Sequence, residues 1–101
     1  MKVFVQSVNF NADKELVVFA ENKVASLEKY YDKIVDSEVF LKVQQTSGKE
    51  NKFVEVKINV PKDNFIVKKA CKTFEEGLVL SVDSLKRQLN RLKEKQRAHN
   101  V

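Results

Sequence analysis

Phe74, Leu78, Val82, Leu85, Leu89 and Leu92 step along the chain by four, four, three, four and three residues. An unbroken stripe of this kind fixes one long helix with a single apolar face, and that face must be covered. Glu75 and Glu76 in the first turn and basic residues in the last turns suit the helix dipole. Gly77 costs up to about 1 kcal/mol of helix propensity relative to alanine, and a glycine here would permit a close backbone approach. The stripe spans fewer than three heptads. Pairing with a second copy through a Phe74–Leu92 seam is the alternative to covering it within the chain.

The preceding segments supply a cover. Lys52 to Val60 sets Val54, Val56, Ile58 and Val60 against Phe53, Glu55, Lys57 and Asn59, the period of a strand with one buried and one wet face. Glu38 to Gln45 alternates likewise, with Val39, Leu41 and Val43 on one side and Phe40, Lys42 and Gln44 on the other. Lys2 to Val8 puts Val3 and Val5 together and Phe4 opposite. Phe65 to Lys72 aligns Phe65, Val67 and Cys71 with Lys69, which calls for a bulge or an edge position. Asn9–Ala12, Thr46–Asn51 and Pro61–Asn64 read as turns. Asp13 is placed to cap a helix over 14–34, where Leu16, Ala20, Val24, Leu27 and Tyr31 recur at helical spacing, bordered by Tyr30 and Ile34.

The order is β-α-β-β-β-α. The reading is an α+β fold: a four-stranded mixed sheet with both helices packed on one face. The first two strands, joined through a helix, are expected to be parallel with a right-handed crossover, and the hairpin-linked pairs antiparallel. Phe40, Phe53, Glu55 and Lys57 fall on the open face. The 101 residues make one domain, with residues 98–101 expected to fray.

Charge is distributed unevenly. The chain holds 19 basic and 14 acidic residues, a net +5. Lys86 to Arg97 alone holds six cations against the single acid Glu94, also +5, so the remainder is balanced. Cations gathered on one element attract an anionic partner, and a rod of them matches the repeating phosphates of a nucleic-acid backbone. Lys86 and Lys93 lie on one flank of the leucine stripe, with Arg87, Arg91 and Lys95 on the other side. Nothing in the pattern encodes base readout, which favours a shape-reading RNA binder.

Other classes are disfavoured. His99 is the only histidine and Cys71 the only cysteine, too few for a zinc site or a histidine-based catalytic constellation. Two glycines cannot build a phosphate loop. The reading therefore has no catalytic residues, metal, cofactor or small-molecule substrate. No apolar run approaches the roughly 20 residues of a membrane span, and MKVFVQSVNF lacks the apolar block of a signal peptide. A cytoplasmic protein is expected.

Three segments resemble a known family. Lys23 to Ile34, KVASLEKYYDKI, is close to K-x-x-K-L-E-x-Y-[FY]-D-[RK]-I. Val39 to Val43 is VFLKV, and Val82 to Lys95, VDSLKRQLNRLKEK, is close to [IV]-D-x-L-x-R-Q-L-x-[KR]-x-K-x-K. In these the chain resembles the short ribosome hibernation-promoting factors, also called ribosome-associated inhibitor or sigma-factor modulation proteins. The family shares the β-α-β-β-β-α order, which is similar to double-stranded-RNA-binding domains. Ser26 and Ser84 replace family lysines, and Gly77 to Val82 stands where the family usually has an acid, an aromatic and alanines.

The resemblance implies a stress or stationary-phase protein on the small ribosomal subunit, occupying the mRNA channel and tRNA sites and silencing translation. Arg87, Arg91, Lys93 and Lys95 would contact rRNA, with Lys23 and Lys33 as first-helix contacts and Lys86 and Arg97 adding charge. A monomer off the ribosome is expected. Ending at Val101, the sequence is expected to lack the C-terminal dimerisation domain of the long members.

Overall fold

The computed structural model describes residues 1–44 and 48–99. Four strands, β1 (Lys2–Val8), β2 (Asp36–Val43), β3 (Lys52–Val60) and β4 (Asp63–Cys71), form one sheet in the order β1-β2-β3-β4. β1 and β2 are parallel, and the other two pairs are antiparallel. Helix α1 (Lys14–Ala25) connects the parallel strands, and α2 (Phe74–His99) follows the sheet. Both helices share a single core with Val39, Leu41, Val54, Val56, Ile58, Val60 and Val67, so they lie on the same face. The sequence-derived α+β fold is the one observed.

The leucine stripe is consumed by this core. Leu78, Leu85 and Leu89 are fully buried, and Phe74 and Val82 nearly so. Docked on the sheet, the stripe from Phe74 to Leu89 is covered within the chain. A Cβ on Gly77 would lie 2.7 Å from Val54 Cγ2, so the helix approaches β3 here as only glycine allows. Thr73 Oγ1 accepts from the Glu76 amide at 3.2 Å, and Asp13 Oδ1 accepts from the Leu16 amide at 2.7 Å, capping the two helices.

Some boundaries differ from the sequence reading. The first helix does not reach Ile34. It gives way at Ser26 to a 3₁₀ turn over Ser26–Lys29, with the Ser26 hydroxyl donating to the Lys23 carbonyl at 2.6 Å. The Tyr30 and Tyr31 amides both return to the Leu27 carbonyl. Tighter bonding redirects the chain toward β2, while Leu27, Tyr31 and Ile34 stay buried. β2 begins two residues earlier than expected because the Val35 amide already bonds to Asn59 O at 2.8 Å. The turn before β4 is shorter, Pro61-Lys62 alone, since Val60 pairs with Asp63. A proline followed by Lys62 at φ 69° is the type II pattern. β4 keeps continuous register without a bulge. It is an edge strand, which accommodates Lys69. Of the expected loop and frayed end, Gln45–Ser47 and Asn100–Val101 lie outside the described residues; α2 itself continues through His99.

Candidate nucleic-acid interface

At 1.5 Å per residue, the 26 residues of α2 make a rod of about 39 Å. Its first half lies on β3 and β4. Beyond Leu92, Lys93, Glu94, Lys95 and Arg97 are exposed and Gln96 is half-buried. Arg87, Arg91 and Lys95, four residues apart, form an exposed line along the outward side. Among the described residues, none of the α2 cations is held in an ion pair.

The other flank meets the segment after the 3₁₀ turn. Lys86 is half-buried with its ammonium 4.5 Å from the centre of the Tyr30 ring. That cation–π contact fixes Lys86 beside the helix and leaves less of its charge to reach outward. Two turns and three turns further on, Lys93 and Arg97 border a groove of about 660 Å³. Lys29, Lys33 and the two tyrosines form its opposite wall. Gln96 spans it: its amide nitrogen donates to the Tyr31 hydroxyl at 3.1 Å. The groove also holds Glu28, bonded to the Met1 amine, and Asp32. Four cations thus face two acids, one of them already paired.

The 3₁₀ turn makes this arrangement. A continuous helix to Ile34 would carry Tyr30 and Lys33 on along the α1 axis. The tightened turn folds them back onto α2 instead. Lys33 therefore joins the α2 cations Lys93 and Arg97 at the groove. Lys23, half-buried in the last turn of α1, does not line the groove. Sequence reasoning passed over Lys29 as a site residue, gave Arg97 only an auxiliary place, and read Tyr30 as a core border. The available signal was the interleaving of Lys29, Tyr30, Tyr31 and Lys33, two aromatics between two cations.

Among the described residues, no three His, Cys, Asp or Glu side chains converge as a metal site, and no helix is long and apolar enough to cross a membrane.

The backbone is similar to that of a ribosomal subunit interface protein from Coxiella burnetii, with TM-score 0.80 and 16% identity over 93% of this chain and 99% of that one. It is also similar to the N-terminal domain of Protein Y from Thermus thermophilus, with TM-score 0.75 and 22% identity over 90% of this chain and 94% of that one. No curated protein matches it in sequence. The sequence model of the sigma 54 modulation protein / S30EA ribosomal protein family matches residues 3–97, and the chain belongs to that family.

Proposed function

We propose that this protein is a non-enzymatic, ribosome-associated factor that silences translation by binding small-subunit rRNA near the mRNA channel and tRNA sites. The observation that carries the reading is the cationic second half of α2, six basic residues without an ion-pair partner among the described residues. Arg87, Arg91 and Lys95 offer one line of phosphate contacts. Lys93, Arg97, Lys29 and Lys33 offer a second along the groove, and Lys86 is held between them by Tyr30. Lys23 is a peripheral contact. Family membership and the named neighbours support the ribosome as the polyanion. The protein would act in the cytoplasm, as a monomer until it meets an idle ribosome under stress or in stationary phase.

Co-sedimentation with purified small subunits across a salt series tests this. Each phosphate contact releases condensed counterions, so binding falls steeply as salt rises. Arg87→Glu/Arg91→Glu should abolish co-sedimentation at salt where the native chain binds, with an unchanged melting temperature, because both side chains are exposed. Absence of binding at low salt, salt-insensitive binding, or normal binding by the charge-reversed chain overturns the reading.

A further inference from the structure

The sheet has a second face that α1 and α2 leave uncovered. Its strand registers align Phe4, Glu38, Lys57 and Ile66 in one row. The next rows are Gln6, Phe40, Glu55 and Lys68, then Val8, Lys42, Phe53 and Ala70. Each row contains one phenylalanine, and each step moves one strand over and two residues along. Phe4, Phe40 and Phe53 therefore form a diagonal stripe across β1, β2 and β3. Diagonal neighbours of this kind stand about 7–8 Å apart.

Burial does not account for the stripe. Phe4 is 54% exposed and Ile66 49%, and Phe40 and Phe53 are only half-buried. The lower end is concave, a groove whose walls include Val8, Phe40, Phe53 and Ala70, with Lys42 and Lys68 at its sides. The carboxylates of this stretch are answered locally: Lys57 Nζ lies 3.9 Å from Glu38 and Lys68 Nζ 3.5 Å from Glu55. Lys42 has no ion-pair partner among the described residues. The surface is aromatic at regular intervals and net positive beside the aromatics.

We infer that this open face is a second RNA-binding surface, a platform for an unpaired, single-stranded segment. Every base has a π-face, and a row of rings with adjacent cations can stack successive bases while neutralising their phosphates. Four-stranded sheets with exposed aromatics on neighbouring strands use this mode. A duplex hides its base faces, so the platform discriminates against paired RNA. The inference rests on the strands and not on α2, and it stands whether or not the ribosomal reading holds. Because the platform and the helices lie on opposite faces of one sheet, a single copy can engage structured RNA with α2 and a loose strand with the sheet.

The test is fluorescence anisotropy of the full chain with a labelled single-stranded oligouridylate, and with a blunt RNA duplex, at low salt. The variant Phe4→Leu/Phe40→Leu/Phe53→Leu keeps the apolar area and removes the rings, with a thermal melt as the control for folding. The expected result is oligouridylate binding that weakens by about tenfold or more in the triple variant, given the size of base–aromatic stacking. Equal affinity of the triple variant, no binding of oligouridylate, or self-association without RNA binding would overturn the inference. Should the triple variant fail to fold, photo-cross-linking of the native chain to a 5-bromouridine oligonucleotide decides. Adducts on peptides containing Phe40 or Phe53 support the platform, and adducts confined to α2 refute it.

Discussion

From Phe74 to Leu85, α2 carries three acids and no cation; from Lys86 to Arg97 it carries six cations and one acid. The first half buries Phe74, Gly77, Leu78, Ser81, Val82 and Leu85 against the sheet, whereas the second fully buries only Leu89 and half-buries Leu92. One continuous helix is thus a structural element at its start and a charged surface at its end. The boundary is sharp: Leu85 has no exposed surface, Lys86 lies over Tyr30, and Arg87 is exposed. Separation of this kind lets the anion-facing half change without loss of the core. It also lets repulsion among six like charges act where little packing can be lost.

The largest effect expected from breaking the comparison is in the inner half. Leu85→Ala should lower stability by about 2–5 kcal/mol, the usual cost of a cavity at a fully buried leucine. Urea denaturation measures it. RNA affinity of the folded fraction should be unchanged, because the cations beyond Leu85 keep their places. Equal destabilisation by Leu85→Ala and Arg87→Glu/Arg91→Glu would show that the two halves are one unit.

Gly77→Ala comes next. Alanine gains up to about 1 kcal/mol of helix propensity, but its Cβ would sit 2.7 Å from Val54 Cγ2. Val54 is stiff at χ1, almost fully buried, and held in a strand paired on both sides. Overpacking of about 1–3 kcal/mol therefore outweighs the propensity, and a net loss of about 1 kcal/mol is expected in thermal or urea melts. A more stable Gly77→Ala would mean that α2 lifts from the sheet at little cost.

Period-two alternation located β1 and β3 to the residue, because each strand has one face in the core and one outside. It said less about β4, where Lys69 shares a face with Val67 and Cys71; an edge strand needs only part of that face covered. The first helix was overrun for a different reason. Leu27, Tyr31 and Ile34 are buried in the structure as the spacing required, but a 3₁₀ turn serves that burial as well as an α-helix does. Apolar spacing records which residues go inside and not which hydrogen bond closes the turn. The groove formed by Lys29, Lys33, Lys93 and Arg97 was hidden by the same step, since it joins two segments more than 50 residues apart. The outward line Arg87, Arg91 and Lys95 was legible because it depends on helical period alone.

Tyr31→Phe probes the outer half with a smaller change. It removes the hydroxyl that bonds Gln96 and leaves the ring in the core. A stability loss of about 0.5–1.5 kcal/mol follows from one partly buried hydrogen bond. Its sharper signature is local: amide exchange should quicken in α2 beyond Leu92 and stay unchanged between Leu78 and Leu85. Uniform acceleration along α2 would show that the clasp holds the whole helix.

Cys71 gives the smallest effect and lies at the end of β4 beneath the inner half, its Sγ 3.5 Å from where a Cβ on Gly77 would be. Burial pushes its thiol pKa up, and the carboxylates of Glu76 and Glu50 add to this against a partial offset from Lys69. The folded chain therefore holds the thiol proton more tightly than the unfolded chain. The resulting stability is fully present below the unfolded thiol's pKa of about 8.5 and is lost as pH rises from there through the higher folded value. Cys71→Ala removes this contribution, so the stability difference between native and variant chains should shrink the native advantage between pH 8 and pH 10. In parallel, iodoacetamide should modify native Cys71 slowly at neutral pH and rapidly in urea. Rapid labelling of the folded chain would mean that the start of α2 opens over β4 as freely as its end stands clear of the sheet, and the contrast between the two halves would be lost.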